Sequence, residues 1–323
     1  MKQSLKHRTA FIYDDIFLKH NLGAKHPESP ERLRAIQKRL LLTGLNDMLL
    51  HLKPYQDLKL ISKAILSLHT KAHYNSVARW EERALPALYA VGAVLRGIDA
   101  VMEQAAPQAF CAIRPPGHHA HNHGAHCDGR YQGEGFCFFN NVAIGARYAQ
   151  QHYKLKRILI VDWDYHHGNG TEYFFYEDPT VFYFSTHAQF DYPLTGFPER
   201  RGSGKGKGYN LNVPLPAQAT DQDFLDAFKA KLFPTLKELH FKPDLILISA
   251  GFDSRADDLL GCFQITDRGF NEATRLLLDL AQASCHGRIV SILEGGYNPH
   301  GLSLAVATHL RAMLNENQKL ESP

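Results

Sequence analysis

Six short apolar runs punctuate the chain: "TAFIYD" near residue 10, "AFCAI" (109–113), "RILIVD" (157–162), "TVFYFS" (180–185), "DLILISA" (244–250) and "RIVSIL" (288–293). Their brevity and their wealth of Val, Ile, Leu and Phe predict strands buried on both faces. Between them lie longer stretches with apolar residues at helical spacing: "SPERLRAIQKRLLLTG", "ALPALYAVGAVLRGIDAVMEQ", "NNVAIGARYAQQHY", "DQDFLDAFKAKLFPTLKEL" and "GFNEATRLLLDLAQASC". Ser29 and Asp221 stand where N-caps are expected. Strands alternating with helices predict an α/β fold, a parallel sheet covered on both faces.

Polar residues follow the strands in a pattern. "AFCAI" runs into Arg114, His118 and His119; "RILIV" into Asp162, Asp164, His166 and His167; "TVFYFS" into Thr186 and His187; "LILISA" into Gly251 and Asp253; "RIVSIL" into Glu294 and Tyr297. Ligands of open parallel sheets bind at the carboxyl ends of the strands. Five strands therefore deliver polar groups to one edge, which predicts one site built from distant segments. The crowding of Asp162, Asp164, His166 and His167 needs compensation, because buried carboxylates and imidazoles are costly when unpaired.

Composition narrows the field. The chain has 323 residues, a formal charge of +3 and no Pro/Ser-rich linker, so one large domain over 1–314 with a polar tail at 315–323 is expected. The small charge gives no footprint for nucleic acid. The basic cluster Arg200, Arg201, Lys205 and Lys207 lies in "RRGSGKGKG", which lacks the GK[ST] ending of a phosphate loop and reads as a solvated loop. Five cysteines with no CxxC pair fit a reducing compartment. No apolar leader and no run long enough for a bilayer are evident, which makes a cytoplasmic protein without a membrane partner the expectation. Histidine, at 19 residues, is the unusual count.

Asp164, His166 and Asp253 offer oxygen and nitrogen donors of the kind that hold a catalytic zinc with one position open. A lone Asp-x-His would more simply be a helix cap or a loop contact. The tandem His118 and His119 follow two prolines and a glycine that fix the backbone, and imidazoles beside a metal-activated water suit proton transfer. Tyr297 offers a phenol able to donate to a developing oxyanion.

Taken together, "RPPGHHA" (114–120), "GEGFCFFNN" (133–141), "VDWDYHHGNG" (161–170), "SAGFDS" (249–254) and "LEGGYN" (293–298) resemble the zinc-dependent histone deacetylase family. The nearer likeness is to its class II and bacterial branch, which includes acetylpolyamine amidohydrolases. "HPESPERL" (26–33) and "GKGYNLNVPL" (206–215) extend the resemblance from about Arg8 to about Leu314. It implies an arginase/deacetylase-like three-layer fold, with a mostly parallel sheet between helices, and hydrolysis of an acetamide. Asp164, His166 and Asp253 resemble the zinc ligands, His119 the general base, His118 its electrostatic partner, and Tyr297 the phenol that polarises the acetyl carbonyl. Asp162 and Asn169 match the groups that orient His118 and His119. A structural potassium is implied beside the same strand, held by Asp162, Ser185 and the carbonyls of Asp164 and His166. Phe136 and Tyr192 match the aromatic walls of the acyl-lysine tunnel, Tyr192 standing where Phe is more usual, and Gly135 would present its carbonyl to the substrate.

The implied substrate is Nε-acetyl-lysine in a protein such as a histone tail. Polyamine-specific members place an acid after "GFDS"; simple alignment puts Leu260 there, with Asp257 and Asp258 close by, so acetylpolyamine is the alternative. A binuclear manganese ureohydrolase needs further Asp and His ligands. A catalytically dead acyl-lysine-binding scaffold would lack a ligand or the tyrosine. The 14-residue stretch "HNHGAHCDGRYQGE" (121–134) is longer than the family pattern. Its His121, His123, His126 and Cys127 offer donors for a second zinc, against the expected reading of a surface loop or an oligomer contact.

Overall fold

In the computed structural model the described residues are 9–314 apart from 80, 124–125, 128–129 and 132, with the backbone alone at 81–82, 126–127 and 130–131. The tail at 315–323 and the side chains of His126 and Cys127 lie outside them.

The six expected strands form: β1 (Ala10–Ile12), β3 (Gln108–Cys111), β6 (Ile158–Asp162), β7 (Val181–Ala188), β9 (Leu245–Ala250) and β10 (Ile289–Leu293). Two edge strands join them, β2 (Leu50–Leu52) and β8 (Asn210–Leu215), giving an eight-stranded sheet of order β2-β1-β3-β10-β9-β6-β7-β8. Every pairing in it is parallel. Each residue of β3, β6, β7, β9 and β10 is buried, as their largely apolar runs predict of strands covered on both faces. A separate antiparallel ribbon of β4 (His126–Cys127) and β5 (Arg130–Tyr131) lies in the long loop.

Both edge strands escaped the apolar pattern for physical reasons. β2 is only "LHL", and β8 contains two asparagines and Pro214, poor strand formers tolerated at an edge. The asparagines are held from outside the ladder: Asn210 and Asn212 donate through Nδ2 to the Glu172 carboxylate at 3.0 and 2.7 Å.

Ten helices cover the sheet among the described residues. On one side stand α2 (Leu58–Leu66), α4 (Glu81–Met102) and α5 (Asn141–Tyr153), with α3 (Lys71–Ala78) packed on them; on the other stand α1 (Glu31–Leu42), α9 (Asp267–Cys285) and α10 (Pro299–Met313). α6 (Asn169–Phe175) lies against β7. The expected helix over 221–239 is α7 (Asp221–Asp226) and α8 (Phe233–Glu238), joined by a π-helical turn over Ala227–Leu232.

Both expected N-caps are corrected. Pro30, whose fixed φ suits a helix start, takes the cap position of α1 in place of Ser29. Thr220 caps α7 through a capping box with Asp223, while Asp221 accepts from the Thr266 N–H at 2.7 Å and its hydroxyl at 2.6 Å. A third correction concerns α4: Arg83–Met102 is long and apolar enough to cross a membrane, but 78% of that window is buried inside the protein. It is a core helix, apolar all round because it packs on the sheet and on neighbouring helices.

Candidate active site

The strand order makes the sequence pattern geometric. β3, β10, β9, β6 and β7 are consecutive neighbours, so the five polar strand ends meet at one edge. Single donor atoms of Asp164, His166 and Asp253 lie within 4.8 Å of one another. His166 Nδ1 sits 3.2 Å from Asp164 Oδ1 and 3.0 Å from Asp253 Oδ2. The remaining carboxylate oxygens are anchored: Asp164 Oδ2 accepts from the Gly295 N–H at 2.8 Å and Asp253 Oδ1 from the Tyr165 N–H at 2.9 Å. Burial and the neighbouring Asp164 charge raise the Asp253 carboxyl above the usual carboxylate range. Two buried carboxylates and an imidazole converging on one point fit a divalent cation of the zinc type, which relieves their repulsion. Gly295 leaves room for them: a Cβ there would lie 2.3 Å from Asp253 Oδ2.

The tandem histidines sit beside this set with opposite electrostatics. His118 Nδ1 contacts Asp162 Oδ2 at 3.0 Å and its Nε2 lies 3.6 Å from Asp164 Oδ1. Burial pushes its pKa down, but the Asp164 and Asp162 carboxylates prevail and raise it well above the usual histidine value. His119 Nδ1 contacts the Asn169 side-chain oxygen at 2.7 Å. Burial, then the charges of His118 and His166, lower its pKa well below the usual value. An amide oxygen can only accept, so Asn169 fixes the Nδ1–H tautomer and leaves His119 Nε2 as a free base.

Tyr297 is buried, and burial with the Asp253 and Asp164 charges raises its phenol well above the usual value, so it stays a donor. Asp258 fixes its backbone, accepting from Tyr297 N–H at 2.6 Å and Asn298 N–H at 3.2 Å. Arg32 lies 5.1 Å from the Tyr297 ring centroid and donates to the carbonyls of Gly296 (2.6 Å) and Glu294 (2.5 Å).

A pocket of about 280 Å³ opens above these groups, lined by His119, Gly135, Phe136, His166, Tyr192, Leu260 and Tyr297. The structure thus brings every expected pocket residue together. Gly135 is required by space and backbone alike: its φ is +51° and a Cβ would stand 2.0 Å from His119 Cδ2. Asp257 and Asp258 are turned elsewhere, Asp257 to Arg255 and to Asn298 Nδ2 at 3.0 Å, leaving Leu260 at the mouth. Ser185 is paired with Asp162 in the β6–β7 register, and its hydroxyl contacts His187 Nδ1 at 2.8 Å. In the long loop, His121 pairs with Glu134 at 2.9 Å and His123 contacts the Tyr173 hydroxyl at 3.0 Å. Arg200, expected in a solvated loop, pairs with the buried Glu172 carboxylate at 2.5 Å.

Two positioning elements went unread in the sequence. Glu294 accepts from Gly117 N–H at 2.6 Å and His118 N–H at 3.2 Å, and so fixes the tandem histidines from beneath. Glu28 joins Arg32 (3.1 Å) and Arg114 (2.7 Å) in a wholly buried ion network. For Arg32 the signal was available: it continues the i, i+4 line of Ile36 and Leu40 along the buried stripe of α1, whereas Glu28 precedes the helix.

Comparison with known proteins gives this geometry its context. Residues 26–313 match the histone deacetylase domain model. The chain belongs to the histone deacetylase family. It is 35% identical to a "Probable deacetylase" of Archaeoglobus fulgidus, over 91% of this chain and 82% of that protein. It is 38% identical to "Histone deacetylase 6" of Caenorhabditis elegans, over 86% of this chain but 31% of the relative, and 36% identical to mouse "Polyamine deacetylase HDAC10", over 95% and 48%. It thus spans about half or less of the length of several relatives. The crystal structure of the "HDA15 HD domain" superposes with a TM-score of 0.86 at 32% identity, covering 97% of this chain and 89% of that one. The arginase/deacetylase fold and the deacetylase-type hydrolase class follow from this membership. Members of the family generally use zinc, and Asp164, His166 and Asp253 form a candidate metal-binding group.

Proposed function

We propose that the protein is a zinc-dependent deacetylase of Nε-acetyl-lysine in proteins, with Asp164, His166 and Asp253 as the metal ligands. The observation that carries this reading is the floor of the pocket, where a free-base His119, a protonated Tyr297 and His166 face one small volume, with Asp164 and Asp253 clustered on His166. Zinc held there supplies Lewis-acid polarisation of the acetyl carbonyl and of water.

The chain's own groups do the rest. Phe136 and Tyr192 wall the acyl-lysine stem and exclude water. His119 Nε2 takes the proton of the attacking water, an assignment its lowered pKa supports. Tyr297 donates to the oxyanion that develops on the acetyl oxygen. His118, carrying charge beside Asp162, stabilises the negative tetrahedral species electrostatically. The proton held by the histidine pair passes to the leaving amine as the C–N bond breaks, and the products are acetate and lysine. A structural potassium beside β6, held by Asp162, Ser185 and the carbonyls of Asp164 and His166, belongs to the same reading.

Leu260 at the mouth supports a protein substrate over an acetylpolyamine, whose second ammonium would need a carboxylate there. The test is kcat/KM for an acetyl-lysine histone-tail peptide against acetylspermidine and acetylputrescine, with zinc loaded. Preference for the peptide is expected. Preference for the polyamines would overturn the substrate assignment, and hydrolysis indifferent to a strong chelator would overturn the metal.

A further inference from the structure

The two loops at the pocket mouth carry apolar side chains into solvent. Phe190 is 76% exposed and Leu194 67%, on either side of the wall residue Tyr192; Leu259, 66% exposed, adjoins the wall residue Leu260. Tyr165 ties the loops side by side, its hydroxyl donating to Asp191 Oδ2 at 2.8 Å and lying 3.2 Å from Cys262 Sγ. These side chains therefore share one rim.

That rim is held at a conformational cost. Phe190 and Leu194 have φ of +63° and +62°, a region that bulky L residues rarely adopt. Polar anchors impose it. Asp191 accepts from Tyr192 N–H through Oδ1 and from Leu194 N–H through its carbonyl, both at 2.7 Å. Behind them, His187 Nε2 donates to the Gly196 carbonyl at 2.9 Å and His167 Nδ1 contacts Thr195 Oγ1 at 2.7 Å. Strain that the surroundings over-determine is a mark of functional loops. A dimple of about 50 Å³ opens between Phe190, Leu194, Phe197 and Pro198.

We propose that this rim selects the sequence around the acylated lysine, taking bulky apolar side chains within two residues of it in an extended peptide. The proposal rests on the acetyl-lysine reading above. Continuity with the pocket says what covers the rim: a peptide whose lysine passes between Tyr192 and Leu260 must leave the pocket across their neighbours. Residues one and two positions away lie about 3 to 7 Å along an extended chain, within reach of the exposed side chains. A flanking ammonium laid on Phe190, Leu194 and Leu259 loses water to side chains that offer no acceptor, and the Asp191 oxygens beside them are already engaged by the Tyr165 hydroxyl and the Tyr192 N–H.

The test compares kcat/KM of the zinc-loaded protein on two acetyl-lysine peptides of equal length, one with Leu and Phe at the flanking positions and one with Lys and Ser, and on an acetyl-lysine amide with no flanks. The apolar peptide is expected to be favoured by about tenfold over the basic one. Phe190→Ser, Leu194→Ser and Leu259→Ser should each lower kcat/KM for the apolar peptide by roughly three- to tenfold and leave the unflanked amide unchanged. Equal rates on the two peptides would overturn the proposal while leaving the deacetylase reading intact. Failure of the wild-type protein to hydrolyse any acetyl-lysine substrate would sink that reading and this one with it. Equal losses on all three substrates, with a dimer that dissociates on sedimentation of the variants, would assign the rim to a second copy of the chain and overturn the proposal.

Discussion

The floor and the rim of the pocket invert the usual partition of side chains in opposite senses. On the floor, carboxylates, imidazoles and a phenol are buried; on the rim, Phe190, Leu194 and Leu259 are exposed. The floor stands on the ends of rigid, fully buried strands, the rim on loops pinned by Asp191, Tyr165, His167 and His187. Rigid strand ends hold charges where small displacements would be costly. Exposed apolar loops offer contact area that a partner can cover. On the reading proposed above, the floor governs whether an acetamide is cleaved, and the rim governs which one.

That division can be broken by experiment. The largest effect is expected from Asp253→Ala, which should abolish stoichiometric zinc and cut turnover by on the order of a thousandfold on every substrate. Metal analysis after dialysis, beside the rate, is the check; full zinc content would remove Asp253 from the ligand set. Tyr297→Phe should lower kcat by roughly 10²- to 10³-fold while zinc content and circular dichroism stay as in the wild type. Asn169→Ala should cost about 10- to 100-fold, because His119 loses the partner that fixes its tautomer. An unchanged rate would make that contact incidental.

The buried network behind the floor makes a prediction in pH. Burial alone would raise the Glu28 carboxyl, but Arg114 overrides it and holds it at about 2. Burial depresses His20 to about 4. In both cases the unfolded chain binds more protons than the folded one, Glu28 between its ordinary value and about 2, His20 between its ordinary value and about 4. Stability should therefore fall as pH drops through the acid range, with Glu28 alone contributing about 3 kcal/mol above its unfolded pKa. Melting temperatures measured downward from neutral pH check this, and a flat profile would refute it. The smallest effect is expected from Leu260→Glu. A carboxylate at the mouth should raise kcat/KM for acetylspermidine several-fold relative to a peptide, leaving zinc content alone. No gain would show that the mouth does not discriminate charge.

Much of this was legible before folding. The inner strands are mostly apolar runs, and polar residues that follow β3, β6, β9 and β10 meet at the pocket floor, whereas Thr186 and His187 lie within β7, where His187 holds the Gly196 carbonyl. Where reading failed, tertiary contacts had overruled local chemistry. β8 is a strand because Glu172 receives its two asparagines and because an edge tolerates Pro214. Asp221 looks like a cap but serves Thr266, 45 residues away. Arg32, which the sequence reading gave no role, is buried because Glu28 and the carbonyls of Glu294 and Gly296 satisfy it.

The sequence by itself determined the buried strands, the chemistry at their ends and the family, because apolar runs and motif spacing are properties of neighbouring residues. Only the tertiary structure decided which strand ends meet, that Asp257 and Asp258 turn away while Leu260 stays at the mouth, and that two loops far apart in the chain share one apolar rim. Those outcomes depend on strand order and on hydrogen bonds across long separations, which no local pattern encodes.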